Sequence, residues 1–163
     1  MKPEDFVTEY ETAMRKYLHN ISLMPGAERI IKHFSNKKVP IAIATGSAQS
    51  GFERKTGHIG DLLRKPFSHH VFAGSDPEVR NGKPQPDVFQ VAAKRFKPPP
   101  ETAKSCLVFE DAINGVKAAL AAGMQVVLVP DKRLDLNKLE VKPTLVLDSL
   151  EKFQPELFGL PPF

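Results

Sequence analysis

Three short stretches of the chain carry residue types that could bind and transfer a phosphoryl group. A hydroxyl follows an apolar run at Thr45 in IAIATGS, and a lysine precedes proline at Lys83 in NGKPQPD. A third apolar run ends in two acids, Glu110 and Asp111, in CLVFEDAINGVKAA. A hydroxyl, an ammonium and two carboxylates are groups that magnesium-assisted phosphoryl transfer uses. The sequence therefore predicts a site for a phosphate ester and Mg²⁺.

The turn formed by Thr45, Gly46 and Ser47 is the first of these candidates. It follows an apolar run and precedes a segment with helical character. Hydroxyls and free backbone N–H groups at a strand-to-helix turn can bind phosphate oxygens. Thr and Ser are also preferred helix N-caps, so a simple cap is the alternative for this turn taken alone.

Lys83 is the second candidate. It lies between Gly82, which permits a tight turn, and Pro84, which fixes the backbone after the lysine. A lysine held in this way could neutralise charge that develops on a phosphoryl group. The stretch is not a P-loop, because Pro84 stands where Ser or Thr would follow the lysine. The alternative is a solvent-exposed turn lysine.

The acidic pair, Glu110 and Asp111, is the most specific of the three signals. Two carboxylates at the end of a buried strand are costly unless they are paired or bind a cation. Mg²⁺ typically takes one or two carboxylates together with phosphate oxygens. The alternative is that Asp111 caps the helix that follows, which begins with Asn114, Gly115 and several alanines.

Apolar periodicity predicts short strands that alternate with helices. Strands are predicted at 39–44, 70–73, 105–109, 125–129 and 144–147, helices at 5–20, 27–34, 47–56, 86–96 and 112–122, and packed coil at 155–163. Such alternation is typical of an α/β fold with a mostly parallel sheet. Ligands of these sheets lie beyond the carboxyl ends of the strands, where Thr45, Glu110 and Asp111 fall.

The composition favours one soluble domain that acts on a small molecule. The chain has 163 residues, of which 41% are hydrophobic and 26% charged. The net charge of +4 is dispersed among acids, so nucleic acid is not expected, and no apolar run is long enough to cross a membrane. The single cysteine, Cys106, favours a reducing, cytoplasmic location. The neighbours His69 and His70 would point to opposite faces of a strand and are not expected to share a metal.

The order of these motifs is similar to that of the haloacid dehalogenase-like hydrolases, over nearly the whole chain. Within that family, LMPGAERII, GSDPEVRNGKPQPDVF, CLVFEDAINGVKAALAAGMQVVLVPD and LDSLEKFQPELFGLPPF resemble the pseudouridine-5'-phosphatases. The resemblance implies a Rossmann-like three-layer sandwich with a mostly parallel sheet and a helical cap inserted after the first strand. It also implies Mg²⁺ dependence and hydrolysis of a nucleotide 5'-monophosphate such as pseudouridine 5'-phosphate. The complete protein is expected to be a monomer.

The resemblance also assigns roles to individual residues. Glu110 and Asp111 would hold Mg²⁺, and Asn114 would orient them from behind. Lys83 would offset charge on the phosphoryl group and on the attacking carboxylate. The residues that would bind the phosphoryl group are Thr45, Gly46, Ser47 and Lys83.

One motif of that family, an Asp-x-Asp pair on an earlier apolar strand, has no counterpart in the 163 residues. Residues 1–24 resemble a remnant of the cap and its linker, and residues 25–163 resemble the core without its central first strand. We therefore expect a truncated, inactive form that lacks the attacking carboxylate and the acid/base. Its sheet is expected to be destabilised, rejoined between the Val39 and Ser105 strands, or dependent on a partner. The alternatives are a sugar-phosphate phosphatase or phosphosugar mutase of the same superfamily, and a non-catalytic binding or regulatory chain.

Overall fold

Helices and strands alternate along the chain in the predicted order. The computed structural model describes residues 21–131, 133–136 and 139–163, so the helix predicted over 5–20 lies outside the described residues. The elements are α1 (Ala27–Asn36), β1 (Ala42–Thr45), α2 (Gln49–Thr56), β2 (His69–Phe72), α3 (Asp87–Arg95), β3 (Leu107–Glu110), α4 (Ile113–Ala121), β4 (Gln125–Leu128) and β5 (Leu145–Val146). No helix in the described ranges is long and apolar enough to cross a membrane.

Short 3-10 helices occupy connections where the sequence predicted none. They are Gly57–Leu63, Ala103–Ser105, Leu150–Lys152 and Pro155–Phe158. The coil predicted for the carboxyl-terminal tail is therefore wrong at its start. Pro155 suits the first position of a helical turn because that position needs no N–H donor, and Gly159, with a φ of 68°, ends the turn in the left-handed region.

The strands form two separate parallel sheets. β1 pairs with β2 through Ala42 opposite His69, and β4 lies between β3 and β5, with Leu107 opposite Gln125. Parallel pairing agrees with the prediction, since helices or long connections link successive strands. Within the described residues β1 does not pair with β3, so the expectation of a rejoined sheet is wrong.

Two apolar clusters cover opposite faces of the sheets and give the three-layer arrangement that the resemblance implies. Val126 and Leu128 pack on the side of α3 and α4, whereas Val127 packs with Phe153 on the side of α1. Successive side chains of a strand point to opposite faces. A strand that is buried on both faces therefore needs an unbroken apolar run, which Val126, Val127 and Leu128 supply in β4.

Phe153 lies at the centre of the apolar cluster beside α1. Its substitution tests how much the carboxyl-terminal segment contributes to stability. Its side chain is 1% exposed and packs edge-on against Phe34 and Phe109, with ring centroids 6.4 and 4.9 Å away. We expect Phe153→Ala to lower the free energy of unfolding by about 3–5 kcal/mol in chemical denaturation, because a buried ring is lost and a cavity remains. Leu157→Ala, at a side chain that is 64% exposed, is the control and should change it by less than about 0.5 kcal/mol. Equal effects of the two substitutions would contradict this packing.

Candidate active site

Lys83 brings the predicted site residues of two sheets together. Thr45 ends β1, Glu110 ends β3, and Lys83 lies in the connection between β2 and α3. The Lys83 Nζ donates to the carbonyl of Ala44 at 3.3 Å and forms an ion pair with the Glu110 carboxylate. The one predicted site residue that does not follow a strand therefore lies at the same carboxyl ends as the others.

The ion pair between Lys83 and Glu110 is largely shielded from solvent. The two side chains are 17% and 9% exposed, and the ring centroid of Phe89 lies 4.7 Å from the Lys83 Nζ. Burial raises the pKa of Glu110 above its ordinary value; the charge of Asp111 acts in the same direction, whereas Lys83 opposes the shift. Lys83 is therefore not the exposed turn lysine that the sequence left open.

The connection that carries Lys83 is fixed by hydrogen bonds to the start of α3. One carboxylate oxygen of Asp87 accepts the backbone N–H groups of Arg80 and Asn81 at 3.1 and 3.0 Å. These bonds, chiefly the one from Asn81, hold the pKa of Asp87 below its ordinary value. The sequence interpretation gave Asp87 no role, although an acid at the start of a helix is a recognised signal.

An ion-pair network ties the beginning of the same connection to the end of α3. Arg95 donates to both carboxylate oxygens of Asp76, at 2.6 and 2.9 Å, and to Glu78 at 2.6 Å. A bidentate ion pair of this kind fixes the relative orientation of the two side chains as well as pairing their charges. The sequence interpretation missed this contact, because its partners are brought together by the return of α3 across β2.

The Glu110 carboxylate lies against the backbone of Gly115 in α4. A Cβ at Gly115 would overlap this carboxylate. Glycine costs roughly 0.5–1 kcal/mol relative to alanine inside a helix, so its presence there reflects the close approach of the acid. The sequence interpretation singled out Asn114 and Gly115 but did not predict this contact.

The Thr45 turn is organised around hydroxyl groups and a second lysine. Thr45 Oγ1 accepts the backbone N–H of Ser47 at 3.2 Å, and Lys55 Nζ donates to Ser47 Oγ at 3.3 Å. The N-cap of α2 is Ala48, so the alternative that this turn is a simple helix cap is wrong. The sequence interpretation did not identify Lys55, since its reach depends on how α2 folds back on the turn.

Asp111 and Asn114 lie at the exposed margin of the site. The N-cap of α4 is Ala112 and has no side-chain hydrogen bond, so Asp111 does not cap this helix. In the described parts of the chain, Asn114 makes no hydrogen bond to either acid, and no group of three or more His, Cys, Asp or Glu residues could hold a metal ion. The acidic pair thus offers two carboxylates and leaves the rest of a Mg²⁺ shell to other oxygen atoms.

The adjacent histidines are occupied separately, as the sequence predicts. His69 bonds the carbonyl of Ala92 at 2.8 Å, and His70 bonds the carbonyl of Leu63 at 2.7 Å. Burial lowers the pKa of His69. Cys106 packs, partly buried, against the apolar cluster beside α3 and α4, and this burial raises the pKa of its thiol.

Comparison with known proteins identifies the family. A family model described as haloacid dehalogenase-like hydrolase matches residues 2–123. The chain belongs to this family. It is 48% identical over 163 residues to a probable pseudouridine-5'-phosphatase of Drosophila melanogaster, covering 100% of this chain and 69% of the relative. It is also 47% identical over 163 residues to (DL)-glycerol-3-phosphatase 2 of Arabidopsis thaliana, covering 100% and 67%.

Solved structures share the fold of this chain. A hydrolase of this family from Deinococcus radiodurans, solved with bound phosphate and sodium, has a TM-score of 0.76 and 26% identity over 100% of this chain and 72% of its own. CbbY from Rhodobacter sphaeroides, solved with phosphate, has a TM-score of 0.74 and 21% identity over 93% and 66%. The chain spans about two thirds of the length of these relatives.

Gly115→Ala tests the placement of Glu110. The added methyl group should push the carboxylate out of its buried position and toward solvent. Because burial is the main cause of the raised pKa of Glu110, we expect that pKa to fall toward its ordinary value, as measured by NMR titration of the carboxyl carbon. Gly51→Ala is the control, since its Cβ would meet only Ser47 Cβ at 4.0 Å. An unchanged pKa in Gly115→Ala would contradict the contact.

Proposed function

We propose that this site belongs to a Mg²⁺-dependent phosphatase that hydrolyses a nucleotide 5'-monophosphate such as pseudouridine 5'-phosphate. The observation that carries the proposal is the position of Lys83, which lies between the Ala44 carbonyl and the Glu110 carboxylate beside Thr45. A shielded ammonium next to hydroxyl and amide donors suits a phosphate dianion. The phosphatase names of the relatives support the reaction class.

The phosphoryl group would be bound at the Thr45 turn. The Thr45 hydroxyl and the amide of Gly46 donate to its oxygens, with Ser47 beside them. Lys83 and Lys55 would supply positive charge, because Lys83 bonds the Ala44 carbonyl and Lys55 bonds the Ser47 hydroxyl. Hydrogen bonds to a charged group contribute about 1.5–3 kcal/mol each, so these donors would dominate the affinity.

The acidic pair fits Mg²⁺ as part of its shell. Glu110 is a shielded carboxylate whose main partner is Lys83, and the adjacent Asp111 is exposed. Both carboxylates would offer Mg²⁺ hard oxygen ligands beside the phosphoryl group. Bound Mg²⁺ would polarise a phosphoryl oxygen and neutralise charge on it. Asn114 remains a prediction as an orienting residue.

Turnover needs one more carboxylate than this site holds. The 163 residues contain no Asp-x-Asp pair, and both acids of the described site are assigned to Mg²⁺. An aspartyl-phosphate intermediate needs a separate nucleophile. We therefore assign ligand binding without hydrolysis to the 163-residue chain and hydrolysis to a form that carries the nucleophile. Glycerol 3-phosphate is the second candidate substrate, because the Arabidopsis thaliana glycerol-3-phosphatase is 47% identical to the chain and the Drosophila melanogaster relative is 48% identical.

Lys83→Ala tests the phosphate site. We expect the affinity for pseudouridine 5'-monophosphate with Mg²⁺ to fall about tenfold or more in calorimetry, since a charge-assisted bond is lost. Lys55→Ala should weaken binding by a few-fold, and Lys32→Ala, at an exposed pair with Glu28, is the charge-matched control. Glycerol 3-phosphate run in parallel decides between the two substrates. Unchanged affinity in Lys83→Ala would contradict the site, and phosphate release by the 163-residue chain that Lys83→Ala abolishes would contradict its inactivity.

The raised pKa of Glu110 predicts how Mg²⁺ binding and stability depend on pH. Mg²⁺ needs the ionised carboxylate, so affinity should fall as pH drops through a pKa above the ordinary glutamate value. The native state binds this proton more tightly than the unfolded state, so without Mg²⁺ the contribution of Glu110 to stability is fully present below the unfolded pKa and is lost as pH rises through the folded one. Glu110→Gln should remove both dependences in Mg²⁺ titrations and denaturation curves. If they persist in this variant, Glu110 is not the responsible group.

A further inference from the structure

The helix that follows the Thr45 turn, α2, begins without a side-chain cap of its own. Its N-cap is Ala48, and no side chain at that position accepts a hydrogen bond. The first N–H groups of a helix have no partner within the helix, and alanine is among the poorer residues at the N-cap. The amide of Gln49, the first residue of α2, therefore needs an acceptor from another part of the chain or from water.

Ser75 supplies this acceptor from the segment that follows β2. The Gln49 amide donates to Ser75 Oγ at 3.1 Å, across a separation of 26 residues in sequence. The preceding residue, Gly74, donates its backbone N–H to the Ser47 carbonyl at 3.4 Å. The segment after β2 thus bonds the chain on both sides of the step from the Thr45 turn into α2.

The backbone of Gly74 lies directly against the start of α2. A Cβ at Gly74 would lie 2.7 Å from the amide nitrogen of Ala48 and 3.1 Å from its Cα. Both are backbone atoms, so a side chain at this position would displace either the turn or the end of β2. Glycine permits this close approach. The approach in turn keeps the Ser75 hydroxyl within hydrogen-bond reach of α2.

The position of Ser75 is fixed through its neighbour Asp76. The Asp76 side chain is 9% exposed and forms the bidentate pair with Arg95 at the end of α3. The backbone N–H groups of Ser75 and Asp76 both donate to the Phe72 carbonyl, at 2.9 and 2.8 Å. A bidentate pair fixes orientation. The end of α3 therefore holds the residue beside Ser75, and Ser75 bonds the start of α2.

We propose that Ser75 is a positioning residue for phosphate binding, whose hydroxyl holds the start of α2 so that the Thr45 hydroxyl and the Gly46 amide face the phosphoryl group. Donors of a binding site need supporting contacts that hold them within about 0.5 Å of the productive geometry. The same connection, residues 73–86, also carries Lys83, so one segment sets the spacing between the turn and the ammonium. The inference rests on the proposed function, because it concerns the same phosphate site.

Ser75→Ala, with Ser75→Thr as the rescue, tests the role of the hydroxyl. In calorimetry on the full 163-residue chain with Mg²⁺, the dissociation constant for inorganic phosphate should rise about fivefold in Ser75→Ala, the effect of losing one capping hydrogen bond. Ser75→Thr should restore it. The Gln49 amide should exchange its hydrogen about tenfold faster in Ser75→Ala, as followed by NMR. Ser105→Ala, at an exposed hydroxyl that pairs with Thr102, is the control and should change neither quantity.

Gly74→Ala is a second test that keeps the hydroxyl. Its methyl group would press on the Ala48 backbone, so phosphate affinity should fall at least as far as in Ser75→Ala. Gly57→Ala is the matched control, because a Cβ there would meet no atom within 4 Å. A residue that merely stabilised the fold would lower the unfolding midpoint and leave the phosphate affinity of the folded chain unchanged.

The outcomes separate this inference from the proposed function. If the wild-type chain binds phosphate and Ser75→Ala binds it equally well, the inference is overturned and the proposed function stands. A failure of Ser75→Thr to restore affinity overturns the inference, since the hydroxyl is then not responsible. Mg²⁺ affinity without phosphate should be unchanged in Ser75→Ala, because Glu110 and Asp111 follow a strand of the other sheet, and a parallel loss overturns the positioning role. A wild-type chain that binds no phosphate overturns both proposals.

Discussion

The ion pair between Lys83 and Glu110 is the interaction on which the site depends. It is the polar link across two sheets whose strands do not pair with each other in the described structure. Burying a carboxylate is costly, and removing one partner of a shielded pair leaves the other charge uncompensated. The cost of leaving the buried Glu110 carboxylate unpaired therefore holds Lys83 in place as much as the backbone around the lysine does.

Two further constraints keep this pair in place. Asp87 fixes the connection before α3 through backbone N–H groups, so the lysine leaves the chain at a defined point. Gly115 gives the acid the space it needs on α4. Asp87 limits where the Lys83 ammonium can lie, and Gly115 limits where the Glu110 carboxylate can lie. The geometry of the site is thus fixed by the start of α3 and by the interior of α4.

The sequence could predict the elements and their ends because both follow local patterns. Continuous apolar runs indicated strands such as β4. The polar residues at the ends of β1 and β3 indicated that the candidate site lies at the carboxyl ends of the strands. Three plausible alternatives, a cap at Thr45, a cap at Asp111 and an exposed Lys83, are each excluded by the structure. What the sequence could not predict depends on tertiary contacts, namely the reach of Lys55 to Ser47, the fit of Glu110 on Gly115 and the separation of the two sheets.

The separation of the sheets links folding to chemistry. Each sheet has its own hydrogen-bonded strand pairs, and two apolar clusters cover the sheets, so the Thr45 turn is held in place without pairing between β1 and β3. Catalysis is different, because a nucleophile must reach the phosphoryl group from a fixed backbone position. Lys83 lies between the end of β1 and Glu110, where the two sheets approach each other. The ion pair that links the two sheets therefore also fixes the charges that a nucleophile would meet, so the same contact bears on stability and on reactivity.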